Sequence, residues 1–104
     1  MSRQSGHETQ NLDTTKKVTL LDFSATWCAP CRAMAPIVDQ LAREYSDMAC
    51  IEKIDIDEQG DLARQMRIQS VPTLIFLKNG QETKRLIGLQ DKEILKTNLE
   101  AALD

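Results

Sequence analysis

The sequence predicts a three-layer α/β/α domain built around one mixed β-sheet. Its 104 residues leave room for a single domain. Apolar runs suited to strands alternate with segments of helical periodicity, in the order strand, helix, strand, helix, strand, strand, helix. A strand–helix–strand unit implies a right-handed parallel crossover, and the two consecutive strands near the end imply an antiparallel pair. Parallel and antiparallel pairing together make the sheet mixed.

The first two elements are predicted as a strand over residues 18–25 and a helix over residues 31–45. The strand segment is mostly apolar, which is typical of a strand covered on both faces. In the helix segment, apolar residues recur at steps of three and four positions. They are Met34, Ile37, Val38, Leu41, Ala42 and Tyr45. Pro36 falls inside this helix and is expected to kink it, because its nitrogen has no hydrogen to donate.

The remaining elements follow from shorter patterns. We predict strands over residues 49–56, 73–77 and 83–87, a short helix over 61–66, and a last helix that begins after Asp91. The last helix carries an apolar stripe, and Asp91 is of a residue type that caps helix N-termini. The Asn79-Gly80 pair suits a tight hairpin turn between the third and fourth strands.

Composition and charge exclude several classes of protein. Hydrophobic residues make up 41% and charged residues 28%, as in an ordinary soluble globular protein. The net charge of −3 argues against a nucleic-acid or anionic-membrane binder, which would concentrate positive charge. No apolar run approaches the roughly 18 residues of a membrane span. Residues 1–17 lack the apolar centre of a secretory signal, so we expect a cytoplasmic protein.

The chain is predicted to have two parts. Residues 1–17 are polar and unpatterned, which indicates a mobile arm or a rudimentary first strand and helix. Residues 18–104 hold all the patterned segments and are predicted to form the folded domain.

Two of the three cysteines, Cys28 and Cys31, stand where the first strand meets the first long helix. At a helix start, the backbone N–H groups and the positive end of the dipole favour a thiolate at Cys28. A thiolate near neutral pH attacks a disulfide, and Cys31, one helical turn on, can displace the mixed disulfide. Pro30 fits the start of a helix. This chemistry needs no bound cofactor and no metal.

A zinc site and a purely structural disulfide are the other uses of such a pair. A zinc site wants four ligands, and only Cys50 and His7 are left, unpaired and far apart in the sequence. A disulfide that closes so short a loop gains little stability. Both are therefore the weaker interpretations. Cys50 is interpreted as a small buried hydrophobe, or as an exposed thiol if the chain has no strand beside it.

Further motifs accompany the cysteine pair along residues 18–104. The full set is Asp22-Phe23, Trp27-Cys28-Ala29-Pro30-Cys31, Pro36, Lys53, Val71-Pro72-Thr73, Lys78-Asn79-Gly80 and Gly88. In this order, the motifs resemble those of the thioredoxin family. A lone Cys-x-x-Cys is a moderate signal, but the downstream Val-Pro-Thr and the strand–helix context make it strong. The resemblance implies a thioredoxin-like fold.

The resemblance also implies catalytic roles. Cys28 is expected to be the attacking nucleophile and Cys31 the resolving, more buried thiol. Asp22 matches the family's buried carboxylate beneath the active site. Burial raises the pKa of such a carboxyl, which suits it to pass a proton to or from Cys31. Lys53 matches the basic partner of Asp22, although a lysine on a strand is often just solvated.

The substrate surface implied by the resemblance surrounds the cysteines. It comprises Trp27, Ala29, Pro30, Val71, Pro72 and Gly88. Pro72 matches the family's cis proline, facing the disulfide, and X–Pro is the peptide link that adopts cis at low cost. Val71 would offer backbone groups to an extended segment of a substrate.

The sequence departs from the family's pattern in four places. Ala29 stands where Gly is usual, which affects potential or substrate fit. Ser24 stands where many members carry an aromatic residue, and Ser70 replaces a common Gly. Residues 1–17 hold few core-forming side chains, whereas the family begins with a strand and a helix. If those two elements are missing, the strand over 49–56 becomes an exposed edge that is suited to docking or self-association.

The leading functional prediction is a monomeric protein-disulfide reductase. The resemblance implies that an NADPH-dependent thioredoxin reductase recharges it and that disulfide-containing proteins are its substrates. One alternative is a disulfide oxidase or isomerase on the same fold, which would often carry a His between the cysteines. Because Ala29 and Pro30 offer no charge there, we expect a potential nearer about −270 mV than about −120 mV. The other alternative is a non-enzymatic partner-binding module.

Overall fold

The computed structural model describes residues 16–104. The elements within them are β1 (Val18–Ser24), α1 (Ala29–Glu44), β2 (Ala49–Asp55), α2 (Gly60–Gln65), β3 (Thr73–Lys78), β4 (Gln81–Ile87) and α3 (Lys92–Leu103). This is the predicted order, with small shifts at the boundaries. The predicted arm lies almost wholly outside the described residues. None of the described helices has the length and apolar character needed to cross a membrane.

The strands form one mixed sheet in the order β2-β1-β3-β4. β1 pairs with β2 in parallel, and α1 makes the connection between them. β1 pairs with β3 and β3 with β4 in antiparallel. The mixed sheet expected from the sequence is therefore confirmed. Within residues 16–104, β2 lies at one edge of the sheet and β4 at the other.

Helices cover both faces of the sheet. On one face, α1 and α3 pack against alternate strand residues in a core that includes Val18, Leu20, Met34, Val38, Leu41, Leu74, Phe76, Leu95 and Leu99. On the other face, α2 packs against Leu21, Phe23, Ile54 and Ile75 through Ala63. Side chains alternate between faces along a strand, so Asp22 lies on the same face as Leu20, under α1. This position brings a carboxyl group to the cysteine-bearing helix.

Local signals explain where several elements begin and end. Asn79 and Gly80 have φ values of 52° and 80°, the left-handed geometry that a type I′ hairpin turn requires at both central residues. Because the turn uses only these two residues, β4 begins at Gln81, earlier than predicted. The Asp91 carboxylate accepts a hydrogen bond of 3.0 Å from the Ile94 N–H and caps α3, as expected. Pro36 lies inside α1, as the sequence indicated.

Candidate active site

Cys28 occupies the N-cap position of α1. The chain leaves β1 at Ser24 and turns so that the Cys28 N–H donates to the Ala25 carbonyl at 3.2 Å. The Cys28 Sγ in turn accepts a hydrogen bond of 3.2 Å from the Cys31 N–H. The sulfur therefore takes the place of the oxygen of an ordinary N-cap residue and receives one of the helix's otherwise unsatisfied donors. Negative charge on this sulfur is stabilised by the helix.

Cys28 and Cys31 are joined as a disulfide, and their Cα atoms are 5.3 Å apart. Cys28 is 5% exposed and Cys31 6% exposed. The two residues are therefore buried to the same extent in the oxidised pair. The disulfide lies at the N-terminal end of α1. Both cysteines pack against Ala25 and the partly buried Val71.

The Val71–Pro72 peptide bond is cis, as the resemblance implied. The Val71 carbonyl oxygen lies 3.7 Å from the Cys28 Sγ, so this loop faces the disulfide. The Pro72 carbonyl accepts a hydrogen bond of 2.9 Å from the Gly88 N–H, which holds the end of β4 beside the loop. Gly88 has a φ of 92°, a conformation that suits glycine. Val71 thus contacts the cysteines, and Pro72 links it to Gly88.

Exposed apolar side chains surround this loop. Trp27 is 64% exposed, and its indole N–H donates to an Asp57 carboxylate oxygen at 2.9 Å. Ile87 and Leu89, on either side of Gly88, are 63% and 61% exposed. The sequence did not single out Asp57, Ile87 or Leu89. The two aliphatic residues could have been found from their position next to Gly88, whereas the Trp27–Asp57 contact joins residues that are distant in the chain.

Asp22 is buried beneath the disulfide, with only 3% of its surface exposed. Its Oδ1 atom has no hydrogen-bond partner. Burial raises the pKa of this carboxyl from its ordinary 3.8 to about 6, and the positive charge of Lys53 opposes part of the rise. Asp22 and Cys31 line the same cavity of about 140 Å³. A carboxyl group whose pKa is raised toward neutrality therefore lines the same cavity as the second cysteine.

Lys53 is aligned with Asp22 across the β1–β2 pair, but the predicted ion pair between them is not formed. The Lys53 Nζ lies 2.8 Å from the Asp39 Oδ1 on α1. These two side chains are 43% and 49% exposed, so their charges stay in contact with water. Pairing with Asp22 would require Lys53 to lose water next to a buried group, which carries a desolvation cost. Asp39 is a residue that the sequence reasoning missed.

No group of three or more His, Cys, Asp or Glu side chains within residues 16–104 is arranged to hold a metal ion. Cys50 is buried in β2, in agreement with its interpretation as a small hydrophobic residue. Ser24 lines the same cavity as Asp22. Ala29 is exposed in the first turn of α1.

Comparison with known proteins identifies the fold and the site together. The sequence model of the family described as "Thioredoxin" matches residues 3–101. The chain belongs to the thioredoxin family. A thioredoxin from Alicyclobacillus acidocaldarius subsp. acidocaldarius is 43% identical over 83 residues, which are 80% of this chain and 79% of that protein. A thioredoxin from Staphylococcus aureus (strain Mu50) is 44% identical over 87 residues, 84% of this chain and 80% of that protein.

A solved structure carries the same likeness in three dimensions. A mutant thioredoxin from Halobacterium salinarum NRC-1 superimposes with a TM-score of 0.81 at 36% sequence identity. The match covers 88% of this chain and 79% of that one. The mixed sheet with helices on both faces is therefore a thioredoxin fold, and its Cys28–Cys31 pair occupies the position of a thiol–disulfide oxidoreductase centre.

Proposed function

We propose that this protein reduces disulfides in other proteins, with Cys28 as the attacking thiolate and Cys31 as the resolving thiol. The observation that carries the proposal is the hydrogen bond from the Cys31 N–H to the Cys28 Sγ at the N-cap of α1. It supports a negative charge on one particular sulfur, and the second cysteine stands one helical turn away. Membership of the thioredoxin family agrees with this assignment.

The reaction starts from the dithiol form. The Cys28 thiolate attacks one sulfur of a target disulfide, a new bond forms between Cys28 and that sulfur, and the other target sulfur leaves as a thiolate. Cys31 then loses its proton, and its sulfur attacks the Cys28 sulfur. The mixed disulfide breaks, the second target sulfur leaves, and the Cys28–Cys31 disulfide remains. Two electrons pass from this protein to its target.

Asp22 is proposed to take the proton from Cys31 in the second step. Both residues line one cavity, and the Asp22 pKa of about 6 is closer to that of a thiol than the pKa of an ordinary carboxyl is. The lining also includes the exposed side chains of Thr26, Arg32 and Lys53, so the proposed route for the proton leads through this cavity to solvent. Lys53 is proposed to moderate the charge of Asp22 without binding it directly.

The substrate is proposed to lie across the apolar surface around the disulfide. Trp27 and the Val71–Pro72 loop flank Cys28, and Gly88 extends the surface on the side of β4. The Val71 carbonyl, at 3.7 Å from the Cys28 sulfur, is suited to accept a hydrogen bond from the backbone of an extended substrate segment. Ala29 and Pro30, exposed in the first turn of α1, complete the rim.

The disulfide produced in each cycle must be reduced again. We propose that an NADPH-dependent flavoprotein of the thioredoxin reductase type supplies the electrons, so neither cofactor binds this chain. A dithiol that must be returned to its reduced form fits a reducing compartment, and the proposed location is the cytoplasm. A monomer suffices, because both cysteines and the carboxylate come from one chain.

The test is the reduction of insulin disulfides by dithiothreitol. The wild-type protein is expected to accelerate the reaction, and Cys28→Ser is expected to abolish the acceleration because no other sulfur occupies the N-cap. Cys50→Ala is the matched control, since it removes a cysteine that is buried in β2 away from the centre. A folded wild-type protein that gives no acceleration, or a Cys28→Ser variant that remains active, would contradict the proposal.

A further inference from the structure

A cavity of about 140 Å³ beneath the disulfide joins the resolving cysteine to the surface. Its lining consists of Asp22, Ser24, Ala25, Thr26, Cys31, Arg32, Ala35, Lys53 and Asp55. Asp22 lies at the buried end, and its Oδ1 has no hydrogen-bond partner. Lys53, half exposed, lies at the outer end. The lining thus brings a carboxyl group without a partner and an ammonium group to the same cavity.

Asp22 and Lys53 are aligned across the two strands, but they do not form an ion pair. Asp22 and Lys53 are direct partners in the parallel β1–β2 ladder, so their side chains project from the same face of the sheet. A long lysine side chain at this position has the length to turn inward to Asp22 or outward to solvent. It lies with its Nζ 2.8 Å from the Asp39 Oδ1, on the helix that covers this face.

The other charged groups that line this cavity have partners of their own. Arg32 on α1 donates to the Thr26 carbonyl at 2.9 Å. Asp55 on β2 accepts a hydrogen bond of 2.8 Å from the Asp57 N–H.

On the other side, the residue of β3 aligned with Asp22 is Leu74, which is apolar and fully buried. Among the charged groups of these elements, Lys53 and Asp39 are the two whose charges shift the pKa of Asp22.

We propose that Asp39 is a positioning residue that holds the Lys53 ammonium group at the outer wall of the cavity and thereby keeps the Asp22 carboxylate unpaired. The inference deepens the proposed function and rests on it for its catalytic meaning, because an unpaired Asp22 is the proton acceptor for Cys31. Asp39 touches neither sulfur nor substrate, and it acts through Lys53.

The expected electrostatic consequences have a definite sign. The Lys53 charge lowers the pKa of Asp22, and the Asp39 charge raises it. Removing the Asp39 carboxylate therefore removes a negative charge and also releases the ammonium group toward Asp22. Both effects favour the ionised form of Asp22 and make it a weaker base.

The first experiment follows the Asp22 carboxyl carbon by NMR during a pH titration of the oxidised protein, in which Cys28 and Cys31 do not titrate. Asp39→Asn is expected to lower the Asp22 pKa by about one unit, as removal of a nearby charge interaction does in a partly buried site. Glu44→Gln is the matched control. Glu44 is another acid of α1 in an ion pair, 2.9 Å from Lys92, and lies at the far end of the helix. An Asp22 pKa that is unchanged or raised in Asp39→Asn would overturn the proposal.

A second set of variants tests whether Asp39 acts through Lys53. Lys53→Met is expected to raise the Asp22 pKa, since it removes the opposing positive charge. In the Lys53→Met background, Asp39→Asn is expected to lower the Asp22 pKa by less than about half of the shift that it causes in the wild type. An equal shift in both backgrounds would show that Asp39 acts only by its own charge, and would overturn its positioning role.

The kinetic readout is the rate at which a mixed disulfide on Cys28 resolves in a single turnover. Asp39→Asn is expected to resolve it about threefold more slowly near neutral pH, as a one-unit loss of basicity implies, while Glu44→Gln resolves it at the wild-type rate. Resolution by Asp39→Asn at the wild-type rate would overturn the catalytic part of the inference. If the proposed function is wrong, the wild-type protein will not accelerate insulin reduction. The pKa titration is independent of that result, because it requires no activity.

Discussion

At the scale of single residues, the proposed activation of Cys28 comes from the backbone and not from a charged neighbour. Its sulfur receives the Cys31 N–H at 3.2 Å, and the two residues between the cysteines, Ala29 and Pro30, carry no charge. One N–H group and the helix dipole stabilise a thiolate less than they do together with a nearby imidazolium. We therefore expect that the dithiol form is not strongly favoured and that the potential lies on the reducing side of the scale.

Pro30→His is expected to make the potential less negative by about 30 to 60 mV, since a tenfold change in the exchange equilibrium corresponds to about 30 mV. The physical reason is the positive charge placed within reach of the Cys28 sulfur. The measurement is equilibration with glutathione buffers followed by thiol labelling. Ala33→His is the control, because it adds the same side chain to the exposed surface of α1 outside the loop between the cysteines. A wild-type potential near about −120 mV would favour a disulfide oxidase instead.

At this scale, functional residues that are close together in the sequence could be predicted, whereas contacts between residues far apart in the sequence could not. Cys28, Cys31 and Pro30 lie within one helical turn, so their spacing indicated the pair, and the strand–helix context and the Val71-Pro72-Thr73 motif strengthened the prediction. Asp39 and Lys53 lie on different elements, and their pairing depends on how far α1 sits above β2 and on which of two acids holds the lysine with less loss of water. No local pattern encodes that choice, and the sequence therefore indicated the wrong partner for Lys53.

At the scale of elements, local signals fix the helix starts and the hairpin. A two-residue turn with Asn79 and Gly80 both at positive φ sets the β3–β4 register near the turn, and the Asp91 carboxylate fixes the start of α3. These features could be predicted because each depends on neighbouring residues. The order of strands in the sheet depended in addition on general rules for crossovers.

Asp91→Ala is expected to destabilise the protein by about 1 kcal/mol, the usual cost of losing an N-cap side chain. The lost interaction is the 3.0 Å hydrogen bond from the Ile94 N–H. The measurement is unfolding in urea, with the midpoint and slope compared with those of the wild type. Asp47→Ala serves as the control, because Asp47 is an exposed acid in the turn between α1 and β2. Equal midpoints for Asp91→Ala and Asp47→Ala would show that the cap contributes nothing to stability.

At the scale of the whole molecule, the buried Asp22 couples stability to the proton concentration. Its carboxyl has a pKa of about 6 in the folded protein and an ordinary value of 3.8. Between these two values, the folded state binds more protons than the unfolded state does. The contribution of Asp22 to stability therefore falls as the pH rises from about 4 to about 6, by about 3 kcal/mol in all. The proposed proton acceptor is thus kept at the expense of stability at neutral pH.

Asp22→Asn removes this titration while preserving the shape of the side chain. The stability of the variant relative to that of the wild type is expected to increase by about 3 kcal/mol between about pH 3 and about pH 8. Urea unfolding of the oxidised proteins at a series of pH values measures this change, because the disulfide excludes titration of Cys28 and Cys31, and Cys50 is the same in both proteins. Only the change of this stability difference with pH is interpreted, because the cost of burying an amide in place of a carboxyl is the same at every pH. Asp47→Asn, an exposed counterpart, is expected to show no such slope. A constant difference between Asp22→Asn and the wild type across the whole range would mean that Asp22 titrates alike in the folded and unfolded chains, and a carboxyl of that kind would be too weak a base for the resolving step.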